Sequence, residues 1–513
     1  MRRPLVFLFI ISILLTACVV PVATSEPSTS TPEISQFSTQ TLTPFIAPTD
    51  TLVAATATET PIPTPVPSPR WFWAVSAGKN EILAFNAAGQ VNTIFDFTDI
   101  IYNGDLPLLR MSDDRAIAFF ANHGKPKALL LTSDSATAIQ IPNVQVPYPE
   151  NPWLFAAEHA PYIIFTYVGT DSVPAILINA ETGQASLVSD NVYNVFNINM
   201  DASFPLVRFS ADGRSVRYAT LVGMSGGPVE VHNLDLQNGK DTVFFQSSGH
   251  LSTDDFGEIW YDSRLGIVQT ADGKSFTVTN TDANTWHILL KTGGILTTKR
   301  TCDSPCPLQT YPPGGESAAS NYSLPASLIN NILYVSYGQL LDQNRLLVVT
   351  YGNNITTNWI LTSDGQGQLL GKGEVGYSAT ASYQSAFISS DGRYLLVYPT
   401  DDKTSFSVYE LATGKVLFSE TTVTPIALLN VSYFPEGIIV DAYDPALAIR
   451  SWVYNLATGL ASEVGSLGSS GYCNAMTTDG KPICATDGGV VVYDPASGDT
   501  TLLIQEPVLQ LSN

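Results

Sequence analysis

The stretch Ile388-Ser389-Ser390-Asp391-Gly392-Arg393, with the segment Val408-Tyr409-Glu410-Leu411-Ala412-Thr413-Gly414 that follows it, decides the fold of this chain. The first segment is an Asp-Gly turn that leads into an apolar run, and the second is an apolar-aromatic run that ends in a Thr-Gly turn. Asp-Gly supplies the positive backbone φ angles that a tight hairpin needs, so such a turn joins two antiparallel strands. Short runs rich in Val, Leu and Tyr between turn residues are typical of β-strands.

Both elements recur along the chain, which predicts an architecture that grows by adding similar units. The Asp-Gly element returns as Phe209-Ser210-Ala211-Asp212-Gly213-Arg214, Thr270-Ala271-Asp272-Gly273-Lys274 and Thr477-Thr478-Asp479-Gly480-Lys481, and more weakly as Met111-Ser112-Asp113-Asp114-Arg115. The second element returns as Val453-Tyr454-Asn455-Leu456-Ala457-Thr458-Gly459 and Val492-Tyr493-Asp494-Pro495-Ala496-Ser497-Gly498, with looser relatives at 82–89, 176–183 and 231–239. Long stretches with a helical period are missing, so the pattern indicates an all-β fold.

Together the two elements resemble the WD40-like repeats of TolB-type β-propellers, whose blades carry a Ser-x-Asp-Gly-Lys/Arg turn followed by a strand near Tyr-x-x-Asp. The resemblance covers most of 71–513, strongly from Tyr383 onward and weakly between Asn280 and Tyr337. It implies a fold and not a function. We therefore expect 71–513 to form a single β-propeller.

The spacing of the turns predicts the number of blades. Including degenerate copies, the turns lie near positions 113, 159, 212, 272, 342, 391, 436 and 479. Most intervals are close to a usual blade length of about 40–50 residues, with a stretched middle. This spacing predicts eight blades, with seven as the alternative. The strands within 71–97 are expected to pair with the last unit and close the ring, because closure hides both edges.

The N-terminus predicts export and lipid attachment. Arg2 and Arg3 precede the apolar run Leu5–Leu15, which is shorter than the roughly 20 residues of a membrane span and is typical of a signal peptide. Leu15-Thr16-Ala17-Cys18 resembles the lipobox of bacterial lipoproteins, which implies cleavage after residue 17 and lipidation of Cys18. The alternative is an ordinary secretory signal with an incidental Cys. Either one places the folded part outside the cytoplasm, in the cell envelope.

Residues 18–70 predict a disordered tether between the lipid and the propeller. Thr, Pro, Ser and Ala dominate, and the segment ends with prolines at alternate positions over 61–69. Such a composition buries too little apolar surface to offset the entropy lost on ordering.

The other four cysteines form two local pairs, Cys302 with Cys306 and Cys473 with Cys484. An exported compartment permits disulfides, so two disulfides are predicted. The rival for the first pair is a metal site, but no His or second Cys pair lies near enough in sequence to complete a tetrahedron. No cofactor or metal is expected.

The net negative charge of the chain argues against one class of binding partner, nucleic acid. The chain has 24 basic and 46 acidic residues, and removal of the signal with its two arginines takes the net charge from −22 to −24. This acidity repels phosphate backbones, which makes nucleic acid a poor partner.

No catalytic motif has a suitable context. Gly223-Met224-Ser225-Gly226-Gly227 matches the Gly-x-Ser-x-Gly pattern of α/β-hydrolases, but it lies between two β-rich runs without a following helix. Gly371-Lys372-Gly373-Glu374-Val375-Gly376 approaches a phosphate loop and likewise lacks a helix. The five histidines, at 123, 159, 232, 250 and 287, show no metal-ligand spacing. Enzyme activity is left open by the sequence.

Five tryptophans fall in different repeat units: Trp153, Trp260, Trp286, Trp359 and Trp452. They are expected to pack between blades, and the alternative places some of them at the axial face, where aromatic rings bind sugars or proteins.

The leading hypothesis for function is a lipid-anchored binding or scaffolding module with an extracellular protein or glycan ligand. The alternatives are a glycan hydrolase or lyase with a site in the axial channel, and a solute-capturing lipoprotein, which would need α/β lobes.

Overall fold

The computed structural model describes most of the chain after the expected tether, in one compact unit that spans Pro67–Asn513. The described residues are 69–97, 107–122, 125–144, 152–167, 172–197, 202–223, 227–247, 251–254, 256–278, 285–290, 294–299, 307–311, 320–323, 334–342, 344–352, 355–374, 388–389, 391–398, 404–424, 426–444, 446, 448–468 and 471–512. They contain forty β-strands and no helix.

The strands form nine antiparallel sheets, and the largest, of nine strands, contains two blades. The described strands therefore make ten blades, here called blades 1–10, in which strands that follow one another in sequence mostly pair with one another. Blades 1–3 contain β1 (Trp71–Ser76), β2 (Glu81–Asn86) and β3 (Val91–Asp96); β4 (Leu108–Arg110), β5 (Ala116–Asn122), β6 (Lys125–Leu131) and β7 (Ala136–Ile139); and β8 (Pro152–Ala156), β9 (Tyr162–Tyr167), β10 (Ser172–Asn179) and β11 (Gln184–Asn197). Strand β12 (Ala202–Pro205) follows β11 and pairs with its end. Blades 4–6 contain β13 (Val207–Phe209), β14 (Ser215–Leu221), β15 (Val229–Asp235) and β16 (Asp241–Ser247); β17 (Leu251–Thr253), β18 (Ile259–Asp262), β19 (Ile267–Thr270) and β20 (Ser275–Thr277); and β21 (Thr285–Leu289), β22 (Ile295–Lys299), β23 (Pro307–Tyr311) and β24 (Ser320–Ser323).

Blades 7–10 complete the set, and the last strand of the chain belongs to blade 1. They contain β25 (Tyr334–Leu340), β26 (Arg345–Gly352), β27 (Ile355–Thr362) and β28 (Gly367–Glu374); β29 (Tyr394–Val397), β30 (Ser405–Glu410) and β31 (Lys415–Thr421); β32 (Ala427–Tyr433), β33 (Gly437–Tyr443), β34 (Ile449–Asn455) and β35 (Ala461–Ser466); and β36 (Tyr472–Met476), β37 (Pro482–Thr486), β38 (Gly489–Tyr493) and β39 (Thr500–Ile504). In blade 8 a single bridge, Ile388 with Leu395, precedes the three strands. Strand β40 (Val508–Leu511) pairs with β1.

The core lies between the blades. Each of ten apolar clusters joins one blade to the next, and one of them joins blade 10 to blade 1. Trp73 of blade 1, for example, packs with Leu131 of blade 2, and Phe85 of blade 1 packs with Val490 of blade 10. The blades therefore close into a ring, which confirms the predicted all-β propeller.

The prediction of eight blades, or seven, differs from the ten blades that the described residues form. The Asp272 turn joins the last two strands of blade 5, whose first turn begins at Asp254. Blade 6 falls in the stretch where the repeats are weakest. Blade 1 has no turn between its first two strands, because β40 and β1 come from opposite ends of the propeller. As expected, the N-terminal strands pair with the end of the chain and close the ring, through β1 and β40. They form a blade of their own, separate from the sheet of β36–β39.

The strand order places the repeated turns on one face of the ring. The fourth strands are the most exposed, as in β3 and β16, whereas the first strands of some adjacent blades contact one another, as β8 and β13 do. The first strands therefore face the axis and the fourth strands form the rim. Since strands alternate in direction, the Asp-Gly turns between the first two strands and the Thr-Gly turns between the last two lie on the same face, here called the turn face.

A β-bulge in the rim strand recurs in seven of the described blades. In β39, Val490 pairs with Ile504 and Val491 with Leu502, so Leu503 is the extra residue. The extra residue is apolar in every case and belongs to the cluster shared with the next blade; the seven residues are Ile94, Val188, Phe244, Leu370, Leu417, Val464 and Leu503. Bulges also blunt edge strands against pairing with other chains.

Candidate functional site

The aspartates of the turn face are engaged within their own turns. Oδ1 of Asp212 accepts hydrogen bonds from Ser210 Oγ at 2.7 Å and from the N–H of Arg214 at 3.0 Å. Chiefly because Ser210 stabilises the charged form, the pKa of Asp212 lies below its ordinary value. Asp391 and Asp479 accept corresponding bonds from Ser389 and Thr477. These carboxylates therefore hold the hairpins, as turn aspartates commonly do.

An ion-pair network marks the place where the chain enters the ring. Arg70, the residue before β1, pairs with Asp113 of blade 2 and Glu436 of blade 9 at 2.8 Å each. It also donates to the carbonyl of Met476 at 3.1 Å. Arg110 makes a second pair with Asp113. The charges neutralise one another, so the network is a structural link between blades at the closure.

The cavity of greatest interest lies between blades 2 and 3 and has a volume of about 550 Å³. We call it the neutral cleft. Its lining consists of Leu130, Thr137, Ala138, Ile139, Gln140, Tyr162, Leu177, Asn179, Thr182, Gly183, Gln184, Ala185 and Ser186. No Asp, Glu, Lys, Arg or His is among them. Hydroxyl and amide groups of Thr137, Gln140, Gln184 and Ser186 are exposed.

A Thr-Gly turn builds one wall of the neutral cleft. Oδ1 of Asn179 accepts hydrogen bonds from the N–H groups of Glu181 at 2.8 Å and Thr182 at 3.1 Å. Gly183 has φ +69°, and a Cβ there would lie 3.4 Å from Leu130 of blade 2. Arg115 of blade 2 donates to the carbonyl of Glu181 at 2.6 Å. The turn is thus fixed against the neighbouring blade, and the cleft between them is preformed.

A disulfide joins Cys473 to Cys484. The two residues face each other across β36 and β37 and are fully buried between blades 9 and 10. Cys18, Cys302 and Cys306 lie outside the described residues.

Asp441 is a buried carboxyl group close to this disulfide. Burial raises its pKa to about 7, although hydrogen bonds from Ser451 Oγ and from the backbone N–H of Cys473 favour the charged form. Both Asp441 and Ser451 are inaccessible to solvent. The group therefore affects stability and has no access to a ligand.

Three of the five tryptophans singled out by the sequence pack between blades, as predicted. Trp260, Trp359 and Trp452 are buried in inter-blade clusters. Trp153 is half-buried and stacks on Phe155, with ring centroids 6.5 Å apart. The side chain of Trp286 lies outside the described part.

The two glycine motifs have the context that the sequence indicated. Gly223 and Gly227 flank the connection between the antiparallel strands β14 and β15, while residues 224–226 lie outside the described chain. Residues 371–374 belong to β28, and 375–376 are not described. Within the described ranges, no three His, Cys, Asp or Glu residues are grouped so that they could hold a metal ion. The same ranges contain no helix that is long and apolar enough to cross a membrane.

Comparison with solved structures gives remote likenesses. A eukaryotic initiation factor is 12% identical, covering 87% of this chain and 98% of that chain, with a TM-score of 0.46. The β-propeller domain of the Trilobed protease from Pyrococcus furiosus is 9% identical (70% and 98% covered, TM-score 0.31), and an oligogalacturonate lyase from Vibrio parahaemolyticus is 9% identical (73% and 93% covered, TM-score 0.32). These TM-scores lie below 0.5, so the fold assignment rests on the sheets and the inter-blade clusters. No protein-family model and no curated protein matches the sequence.

Proposed function

We propose that the chain is an extracytoplasmic, lipid-anchored β-propeller that acts as a binding module, with the neutral cleft as its ligand site. The preformed cleft between blades 2 and 3 is the observation that carries this proposal. Its volume falls within the roughly 300–1,000 Å³ of ligand pockets. The lipid on Cys18 and the tether over 18–70 would hold the propeller at the outer side of a membrane.

The lining favours an uncharged ligand with many hydroxyl groups, such as a neutral oligosaccharide. The chain carries a net charge of −22, and a charge-free cleft avoids placing an acidic group against the ligand. Leu130, Ile139 and Leu177 form an apolar floor of the cleft. The exposed threonine, glutamine and serine side chains of the lining offer hydrogen-bond donors and acceptors around it. This combination suits the apolar ring faces and polar edges of sugars.

A matched pair of variants tests the site. Ser186 in β11 and Thr501 in β39 are exposed residues at the same position of the rim strand, directly before an exposed leucine and a bulged aliphatic residue. Ser186→Arg fills the cleft with a charged side chain, whereas Thr501→Arg lies away from it. The full-length chain in detergent is screened against neutral and charged oligosaccharides, and the affinity for the best ligand is measured by calorimetry.

We expect a neutral oligosaccharide to bind at least 10-fold more weakly to Ser186→Arg and unchanged to Thr501→Arg. Equal affinity of the two variants, or binding confined to charged sugars or to proteins, would contradict the assignment of the cleft. The anchor is tested separately by metabolic labelling with an alkyne fatty acid, where Cys18→Ser should abolish labelling. Labelling that persists in this variant would refute the anchor and leave the cleft untouched.

A further inference from the structure

A chain of hydrogen bonds crosses three strands of blade 4, away from the neutral cleft. Thr220 Oγ1 of β14 lies 3.0 Å from His232 Nε2 of β15, and His232 Nδ1 lies 3.3 Å from Asp241 Oδ2 of β16. Tyr218 donates its hydroxyl proton to the same Asp241 oxygen at 2.6 Å. A hydroxyl, an imidazole and a carboxylate are thus linked in the order that nucleophilic catalysis requires.

The acceptor at one end fixes the direction of every bond in this chain. An ionised Asp241 can only accept, so Nδ1 of a neutral His232 carries the ring proton and donates it to Asp241. Nε2 then has a free lone pair, and Thr220 is the donor of the remaining bond. The hydroxyl proton of Thr220 therefore points at the base that would remove it.

The imidazole is held firmly while remaining accessible. Its ring stacks on Tyr218, with centroids 4.8 Å apart and planes 11° apart. The His232 side chain is 17% exposed and that of Asp241 39%, so solvent reaches both. Buried surroundings and the hydrogen bond to Asp241 raise the pKa of Tyr218, which keeps this phenol protonated as a donor.

Two further polar residues, Glu230 and Asn194, lie on the strands that pair with β14. Glu230 is paired with Thr220 across β14 and β15 and accepts a hydrogen bond from Gln246 at 2.9 Å. On the other side, Thr220 pairs with Val192 of β11. Two residues along β11, the amide of Asn194 is buried, and neither of its polar atoms has a hydrogen-bond partner within the described structure. An unsatisfied buried amide is a place where a bound polar group or an ordered water is expected.

We propose that Thr220, His232 and Asp241 form an acyl-transfer site that hydrolyses small esters. Thr220 Oγ1 forms a bond to the ester carbonyl carbon as its proton passes to His232 Nε2. The bond from carbon to the alkoxy oxygen breaks, and His232 returns the proton to that oxygen, which leaves as an alcohol. Water then attacks the acyl-threonine through the same base, which releases the carboxylic acid and restores the Thr220 hydroxyl. Asp241 orients the imidazole and stabilises its protonated form.

The full-length chain in detergent is assayed with p-nitrophenyl acetate and treated with a fluorophosphonate probe. Trypsin yields the peptide 218–240, which contains both Thr220 and Ser225, so fragmentation by mass spectrometry locates the adduct. Thr220→Val removes the hydroxyl at nearly constant volume, and His232→Gln and Asp241→Asn remove the base and its partner. Thr242→Val, an exposed threonine of the same blade, and Ser225→Ala are the controls.

We expect the adduct on Thr220 and a loss of turnover of about 100-fold or more in Thr220→Val and His232→Gln, as is typical when general base catalysis is removed. The two controls should keep the wild-type rate. An adduct on Ser225, or turnover in the folded His232→Gln variant equal to the wild type, overturns the proposal. Absence of both turnover and adduct in the wild type also overturns it, and the network is then a structural link within the blade.

Discussion

The N–H of Trp73 donates to Oγ of Ser512 at 3.0 Å, and the N–H of Ser512 donates to the carbonyl of Trp73 at 2.8 Å. The two residues are 439 positions apart in the chain. They join β1 to β40, so blade 1 forms only when both ends of the propeller have come together. Closure of this kind removes the free edges that an open array of blades would expose.

Leucines two positions apart in β40 should differ sharply in their effect on closure. Leu511 is fully buried between blades 10 and 1, whereas Leu509 is 53% exposed. Leu511→Ala should lower the free energy of unfolding by about 3 kcal/mol, because it leaves a cavity in the core, and Leu509→Ala by less than about 0.5 kcal/mol. Urea unfolding followed by tryptophan fluorescence measures both. Equal destabilisation would show that β40 does not close the ring.

The bulge in β39 gives a similar contrast between neighbouring residues. Leu503, the extra residue, is 8% exposed and packs between blades 10 and 1, while Leu502 is 52% exposed. Leu503→Asp buries an unpaired carboxylate and should lower the melting temperature by several degrees or prevent folding. Leu502→Asp should leave it nearly unchanged. If Leu502→Asp were the more damaging variant, the register of the bulge would be incorrect.

The Cys473–Cys484 disulfide should contribute measurably to stability. On the chain-entropy model a loop of this length is worth about 3 kcal/mol. Replacing both cysteines by Ala should therefore move the urea midpoint of the oxidised protein downward, without affecting the fold at low denaturant. In the presence of a reductant, which breaks every disulfide in both proteins, the wild type and the variant should have the same midpoint. Identical midpoints for the oxidised wild type and the variant would mean that the disulfide stabilises nothing beyond the sheet itself.

Asp441 should make the protein less stable as pH rises. Its folded-state pKa of about 7 lies above its ordinary value of 3.8, so between these values the folded state binds more protons than the unfolded state. The contribution is therefore most favourable below pH 4 and is lost as pH rises toward 7, with a slope of at most about 1.4 kcal/mol per pH unit.

The difference in free energy of unfolding between the wild type and Asp441→Asn, measured at each pH, isolates this effect, because the contributions of the other titrating groups cancel. Relative to the variant, the wild type should lose stability between pH 5 and pH 7. A wild-type profile parallel to that of Asp441→Asn would show that Asp441 is charged in the folded state at neutral pH.

The sequence predicts the class of fold because its turns are local. Asp212, Asp391 and Asp479 each stabilise a hairpin within six residues, and such signals survive without knowledge of distant contacts. The number of blades depends on features that are not local. The Asp272 turn has the same residues as the others but joins the last two strands of its blade instead of the first two. Blade 1 needs β40, which lies more than 400 residues from β1.

The residues of the proposed acyl-transfer site could not be identified from sequence spacing, for a related reason. Thr220, His232 and Asp241 come together through strand register, and no motif spans them. Pairing the predicted strands around Asp235-Leu236-Gln237-Asn238-Gly239 as a hairpin would have brought His232 near Asp241. The neutral cleft involves residues from two blades, so it depends on how blades pack. Repeated aliphatic pairs, such as Leu502-Leu503 and Val416-Leu417, were a readable signal of the bulges.

One strand breaks the regularity of the ring. Of the described blades, only blades 3 and 4 share a hydrogen-bonded sheet, through the pairing of Val192 in β11 with Thr220 in β14. Ten similar units in one chain risk docking in the wrong order during folding, as repeat proteins do. Because β11 can pair in this way only with β14, blades 3 and 4 are distinguished from every other pair of neighbouring blades. The remaining blades can then add to this pair in the correct order.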